Sequence, residues 1–138
     1  MTSVGEVIKL RDAGHMRVCF LTHSSAQRSE MLKRFGLDIG CRLIQIDRPK
    51  AIELLTMLLH QDLAHGVKMM PIADAQGFAS WLLEQFQAEE SAFYTNWDWR
   101  RGDPNAGNLW PCTRSTFDGG VIATSGGLAA CIWFEDED

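Results

Sequence analysis

The sequence lacks the short motifs that most directly signal catalysis or nucleotide binding. It contains no Walker A or GxGxxG loop, no GxSxG, no HExxH and no EF-hand pattern. Its four cysteines, Cys19, Cys41, Cys112 and Cys131, form no CxxC pair. These absences disfavour a dedicated metal or cofactor site, and reduced thiols are the expectation for the cysteines.

Positive charge and long apolar runs are also scarce. Lys and Arg number 13 against 18 Asp and Glu, which leaves a net charge of -5. This acidity disfavours a nucleic-acid binder, since phosphate backbones attract basic proteins. The apolar stretches at 51–63 and 78–86 contain polar or charged residues and are too short to cross a membrane, and no signal-peptide pattern opens the chain. We expect a cytoplasmic protein without a membrane partner.

The length of 138 residues and the 46% hydrophobic content predict one domain with a real core. Apolar spacing predicts helices over 3–13, from 24 or 25 to 35, 51–64 and 73–87, and strands over 16–22, 42–47, 92–97, 120–124 and 128–135. The first two strands and the helix between them suggest a βαβ-like opening. Overall we expect a single α+β domain over residues 1–138, with helices in the first two thirds packed on a mainly antiparallel sheet that a C-terminal hairpin completes.

A cluster of tryptophan and arginine between residues 97 and 110 is the strongest local anomaly. These residue types dominate protein interfaces, because each buries a large area and still offers directional donors. The same side chains also pack loops onto sheets, or stack on sugars and bases. Core packing, protein recognition and small-ligand stacking therefore stay open as interpretations. The residues concerned are Trp97, Trp99, Arg100, Arg101, Asp103 and Trp110.

Four consecutive acidic residues, Glu135, Asp136, Glu137 and Asp138, end the sequence directly after an apolar strand. We expect their carboxylates to be exposed near the end of the sheet. A charge run is usually a solvated face, and here it would also protect a sheet edge or attract a basic partner.

Residues with catalytic chemistry are few and scattered. Cys112 lies in the irregular segment close to Arg114, which would favour a thiolate, but every histidine is distant in sequence. His23 precedes Ser24 and Ser25 at a predicted helix start, where helix amides would bind an anion weakly or the serines would simply cap the helix.

These observations favour a non-catalytic protein-binding module that recognises a basic partner. A bacterial immunity or inhibitor protein that masks a toxin nuclease is one concrete form. The alternative is a small hydrolase or transferase using Cys112 with a histidine such as His23. Self-association also stays open, because ten basic residues precede Met70 and eleven acidic residues follow it.

Overall fold

A five-stranded antiparallel sheet forms the centre of the molecule. The computed structural model describes residues 3–11, 14–22, 28–62, 66–97, 112–115 and 117–136. The helices within these ranges are α1 (Val4–Leu10), α2 (Arg28–Arg34), α3 (Arg48–His60) and α4 (Ile72–Leu82). The strands are β1 (His15–Thr22), β2 (Ile44–Ile46), β3 (Ala92–Thr95), β4 (Phe117–Ser125) and β5 (Leu128–Asp136). The predicted α+β fold and its C-terminal hairpin are therefore confirmed.

The strands are arranged in the order β1-β5-β4-β3-β2, and every neighbouring pair is antiparallel. The predicted βαβ-like opening is wrong, because β1 and β2 lie at opposite edges of the sheet. Local patterns identified both strands correctly. Their partners come from the last third of the chain, and strand order over such separations is not encoded in local periodicity.

The β4–β5 hairpin supplies two interior strands of the sheet. Ser125 pairs with Leu128 across the turn, and Gly126 adopts a φ of +57°, which glycine tolerates best. As its apolar sequence indicates, β5 is covered on both faces. Alternate side chains of β5 therefore belong to two separate cores.

The two cores lie on opposite faces of the sheet. The larger one, here called the helical-face core, joins α1, α3 and α4 to Ile132 and Phe134 of β5. The second core joins α2 to Cys131 and Trp133 of the same strand. Strand side chains alternate between faces, so one apolar strand serves both layers.

Side chains cap the first and third helices. Ser3 Oγ accepts from Glu6 N at 3.2 Å, and Asp47 Oδ1 accepts from Lys50 N at 2.9 Å. Pro49 occupies the first turn of α3, where no amide donor is needed. None of the helices described here is long and apolar enough to cross a membrane.

Candidate functional site

The two ends of the tryptophan-rich segment meet beside one carboxylate of β4. Asn96 and Trp97 follow β3, while Cys112 and Thr113 precede β4, and Asp118 lies within that strand. We call these five residues the loop base. Residues 98–111 lie outside the described part of the chain, and so do the predicted positions Trp99, Arg100, Arg101, Asp103 and Trp110.

The Asp118 carboxylate holds both sides of the loop base. Its Oδ1 accepts from Asn96 Nδ2 at 3.2 Å and from Cys112 N at 3.0 Å. Its Oδ2 accepts from Thr113 N at 3.0 Å and from Thr113 Oγ1 at 2.8 Å. Asn96 Nδ2 also donates to the Asp118 backbone carbonyl at 3.0 Å. One side chain therefore connects the residue before the segment to the residues after it.

Trp133 completes the environment of this carboxylate from β5. Its indole Nε1 donates to Asp118 Oδ1 at 3.3 Å, and its side chain is fully buried in the second core. Gly120 lies opposite Trp133 in the β4–β5 register. A Cβ atom at Gly120 would collide with the Ile132 carbonyl oxygen and lie 2.8 Å from both Cα and Cε3 of Trp133, so the glycine makes room for the β5 backbone and the indole.

The loop base is suited to anchoring rather than to proton transfer. Asp118 is 3% exposed and receives hydrogen bonds from Asn96, Cys112, Thr113 and Trp133. A carboxylate offers about four lone-pair sites, and these donors occupy them. Charge-assisted hydrogen bonds of this kind are stronger than neutral ones. Asp118 is therefore a structural anchor for the two ends of the segment.

A disulfide between Cys41 and Cys112 strengthens the same anchor. The Cα atoms are 4.9 Å apart across a sequence separation of 71 residues. Asp38 N donates to the Cys112 carbonyl oxygen at 2.8 Å, so the connection after α2 is hydrogen-bonded to the loop base as well. The expectation of reduced thiols is wrong for these two cysteines.

The prediction of Cys112 as a candidate nucleophile is therefore wrong. It is fully buried, and its sulfur is bonded to Cys41. Nucleophilic attack requires an accessible thiolate, and a buried disulfide provides none. His23, Ser24 and Ser25, the other candidates for chemistry, lie outside the described residues.

Cys19 and Cys131 lie opposite each other on β1 and β5 and are not disulfide-bonded. Burial raises the pKa of the Cys131 thiol far above its usual value, and the neighbouring Cys19 adds to the effect. Both side chains pack in the second core together with Cys41 and Cys112. Cys131 therefore behaves as a small buried hydrophobic residue.

Trp97 is a core residue. It is 4% exposed and belongs to the helical-face core, and its amide donates to Thr95 Oγ1 at 3.3 Å. Of the three interpretations of the tryptophan cluster, packing describes this member. Its inclusion among partner-contacting residues is corrected, because a buried indole offers no surface to a partner.

Two residues of the acidic C-terminal run, Glu135 and Asp136, form ion pairs within the protein. Arg11 donates from Nη1 and Nη2 to the two carboxylate oxygens of Asp136, at 3.1 and 2.8 Å, and both side chains are almost wholly buried. Glu135 Oε1 accepts from Arg17 Nη2 at 3.1 Å and is 13% exposed. The expectation of exposed carboxylates is wrong for these two residues. Glu137 and Asp138 lie outside the described residues.

Arg11 and Asp118 are two polar residues with structural roles that the sequence patterns missed. Arg11 also donates from Nε to the Leu58 carbonyl oxygen at 2.6 Å and lies 4.5 Å from the centre of the Phe134 ring. A charged residue between apolar neighbours was the available signal for Asp118, which precedes Gly119 and Gly120. Arg11 gave no such signal, since its partners lie 47 and 125 residues away.

Within the described ranges, no three His, Cys, Asp or Glu residues are grouped so that they would hold a metal ion. No family model, curated protein or solved structure matches the chain. Function must therefore be argued from the site itself.

Proposed function

We propose that this protein is a non-catalytic binding protein that recognises a protein partner through residues 98–111. The observation that carries this proposal is the loop base, in which Asp118 and the Cys41–Cys112 disulfide hold both ends of that segment. Burying a carboxylate costs free energy, and an ordinary connection between two strands does not need one. Fixed ends also reduce the entropy that a recognition segment loses when it binds.

The composition of the segment supports recognition of a protein surface. Trp99, Trp110, Arg100 and Arg101 are of the types that most often dominate binding energy. Since Trp97 is used in the core, these are the tryptophans and arginines of the cluster that we assign to the partner. Asp103 supplies a carboxylate among them.

We propose a basic partner, such as a nuclease that an immunity or inhibitor protein would mask. The net charge of -5 supports this choice, because opposite charge speeds association and disfavours wrong partners. Glu135 and Asp136 are already paired with Arg17 and Arg11, so they are not assigned to the interface. Of the terminal run, only Glu137 and Asp138 stay in the proposed contact.

Because of the disulfide, we propose a different compartment from the one that the sequence led us to expect. A cytoplasmic location was expected, and with it reduced thiols. Disulfides persist mainly in oxidising environments, so the Cys41–Cys112 pair favours such an environment for the working protein. Recognition through residues 98–111 is proposed for the oxidised form.

The test is affinity capture from the native source, followed by titration of the purified partner. Mass spectrometry identifies a stoichiometric protein retained by the wild type, and calorimetry then measures its Kd. We expect Trp99→Ala and Arg101→Ala each to raise Kd by about 30-fold or more, the effect of losing an interface hot spot. Glu137→Gln combined with Asp138→Asn should slow association and weaken its salt dependence.

The matched control replaces Lys50 and Glu53 with alanine, because this ion pair is exposed on α3. It should leave Kd unchanged, and thermal unfolding should show that all variants are folded. Absence of any stoichiometric partner would contradict the proposal. So would an affinity that survives both the Trp99 and Arg101 substitutions.

A further inference from the structure

A groove of about 450 Å³ opens at the β2 edge of the sheet, away from the loop base. Its walls are β2, the first residue of α3, and the chain between α4 and β3. The residues that matter most are Ile46, Arg48, Phe86, Ser91 and Phe93. This volume lies within the range of small-molecule sites in proteins, about 300–1,000 Å³.

Two polar groups in this groove lack hydrogen-bond partners. Arg48 Nε and Ser91 Oγ are both shielded from water, and neither is hydrogen-bonded within the described part of the chain. An unsatisfied buried donor costs about 1–3 kcal/mol, and more when it is charged. Both residues line the same groove, so a ligand bound there would offer these donors an acceptor.

The charge around the groove favours a monoanion. Asp47 also lines it, but its carboxylate accepts from Lys50 N at the start of α3. Lys50 in turn pairs with Glu53 at 3.5 Å. Arg48 therefore stands as a cation without an acidic partner among the described residues, and the nearby Asp47 carboxylate opposes a doubly charged ligand.

The floor of the groove is apolar. Phe86 is fully buried and Phe93 is 3% exposed, and both belong to the helical-face core, with Ile46 packed against it. Their positions are therefore set by the packing of α3 and α4 and not by a ligand. An apolar surface beside a few placed polar groups is a general feature of small-molecule sites.

We propose that this groove binds a small organic carboxylate with an apolar body. The carboxylate accepts hydrogen bonds from the Arg48 guanidinium, whose planar fork matches it, and from Ser91 Oγ. The apolar body lies against Ile46, which is partly exposed at the groove. The groove includes none of residues 98–111, so the test of this site is independent of the test of partner recognition.

The experiment uses the full chain and benzoate as the probe. Two-dimensional NMR follows the backbone amides of residues 45–48 and 86–93 and the Arg48 Nε–Hε signal. Benzoate should shift these signals in a saturable way and move the Arg48 Nε–Hε signal downfield, as expected for a donor that gains an acceptor. Benzamide, which keeps the ring and loses the charge, should bind at least tenfold more weakly.

Substitutions separate this site from general charge attraction. Arg48→Gln should weaken benzoate binding at least tenfold and Ser91→Ala about threefold, while Lys50→Gln at the same helix start should have no effect. Three results would overturn the site: equal binding of benzamide and benzoate, equal losses for Arg48→Gln and Lys50→Gln, or inorganic phosphate binding as tightly as benzoate. Unfolding midpoints within 2 °C of the wild type exclude misfolding as the cause of a loss.

Discussion

At the scale of single residues, charge alone did not reveal which side chains are exposed. Arg11 ends the first helix and Asp136 belongs to an acidic run, so both resemble surface residues in the sequence. In the fold they form a bidentate pair that is almost wholly buried. The pair survives burial because Arg11 also donates to the Leu58 carbonyl oxygen and lies against Phe134.

Removing one partner of this pair should destabilise the protein strongly. Arg11→Met or Asp136→Leu alone leaves one charge of the pair buried without the other, and we expect each to lower the free energy of unfolding by about 3–5 kcal/mol. The double variant should recover most of that loss, because no charge is left buried. Urea unfolding of the four proteins measures this coupling. Additive losses in the double variant would show that the two side chains act independently.

At the scale of elements, the β4–β5 hairpin determines both its own turn and the position of Trp133 beside Asp118. The hairpin is local, with Gly126 in its turn, and the sequence predicted it. The position of Trp133 against Gly120 is also set within this hairpin, and it places the indole Nε1 on Asp118. The strand pair thus builds one side of the loop base by itself.

The glycine at position 120 should be intolerant of a side chain. In Gly120→Ala the new Cβ would contact Trp133 and the β5 backbone, so we expect a loss of about 1–3 kcal/mol from overpacking. Gly77→Ala is the matched control, because it lies in α4 with nothing within 4 Å of its Cβ.

That control should stabilise the protein by about 0.5–1 kcal/mol, since alanine favours helices. Thermal unfolding and near-ultraviolet circular dichroism, which reports the environments of the five tryptophans including Trp133, compare the two variants. Unchanged stability and an unchanged tryptophan signal in Gly120→Ala would contradict the close packing described for this strand pair.

At the scale of the whole molecule, the fold depends on connections between residues that are far apart in the sequence. β1 pairs with β5 across almost the full chain, and the Cys41–Cys112 disulfide links the connection after α2 to the loop base. Such contacts depend on the global fold, since they join residues with no local relation. The disulfide also restricts the unfolded chain over the 71 residues that separate its cysteines.

Loss of this disulfide should therefore lower stability without changing the sheet. On the chain-entropy model a loop of this length contributes about 4 kcal/mol, and we expect reduction to remove about 2–4 kcal/mol from the free energy of unfolding. Urea unfolding with and without a reductant measures the difference. The variant with Cys41→Ala and Cys112→Ala should not respond to the reductant, whereas Cys19→Ala should respond like the wild type. Four titratable thiols in the protein unfolded without a reductant would contradict the assignment.

Part of the candidate site followed from the sequence, and part did not. The segment with its tryptophans and arginines was recognised as unusual from composition alone. Its base was not, because Asp118 acts through donors from β3, from the residues before β4 and from β5. The groove around Arg48 was also missed, since Arg48 and Ser91 are 43 residues apart and each looks like an ordinary loop or helix-start residue.

By itself the sequence determined the α+β class, the approximate extents of the described helices and strands, and the C-terminal hairpin. These follow from apolar spacing, caps and turn glycines, which act over a few residues. Only the tertiary structure decided the strand order, the disulfide, the burial of Trp97 and Asp136, and the coming together of Arg48 and Ser91. These depend on which distant surfaces bury each other, and hydrophobic burial is non-directional, so residue spacing along the chain does not encode them.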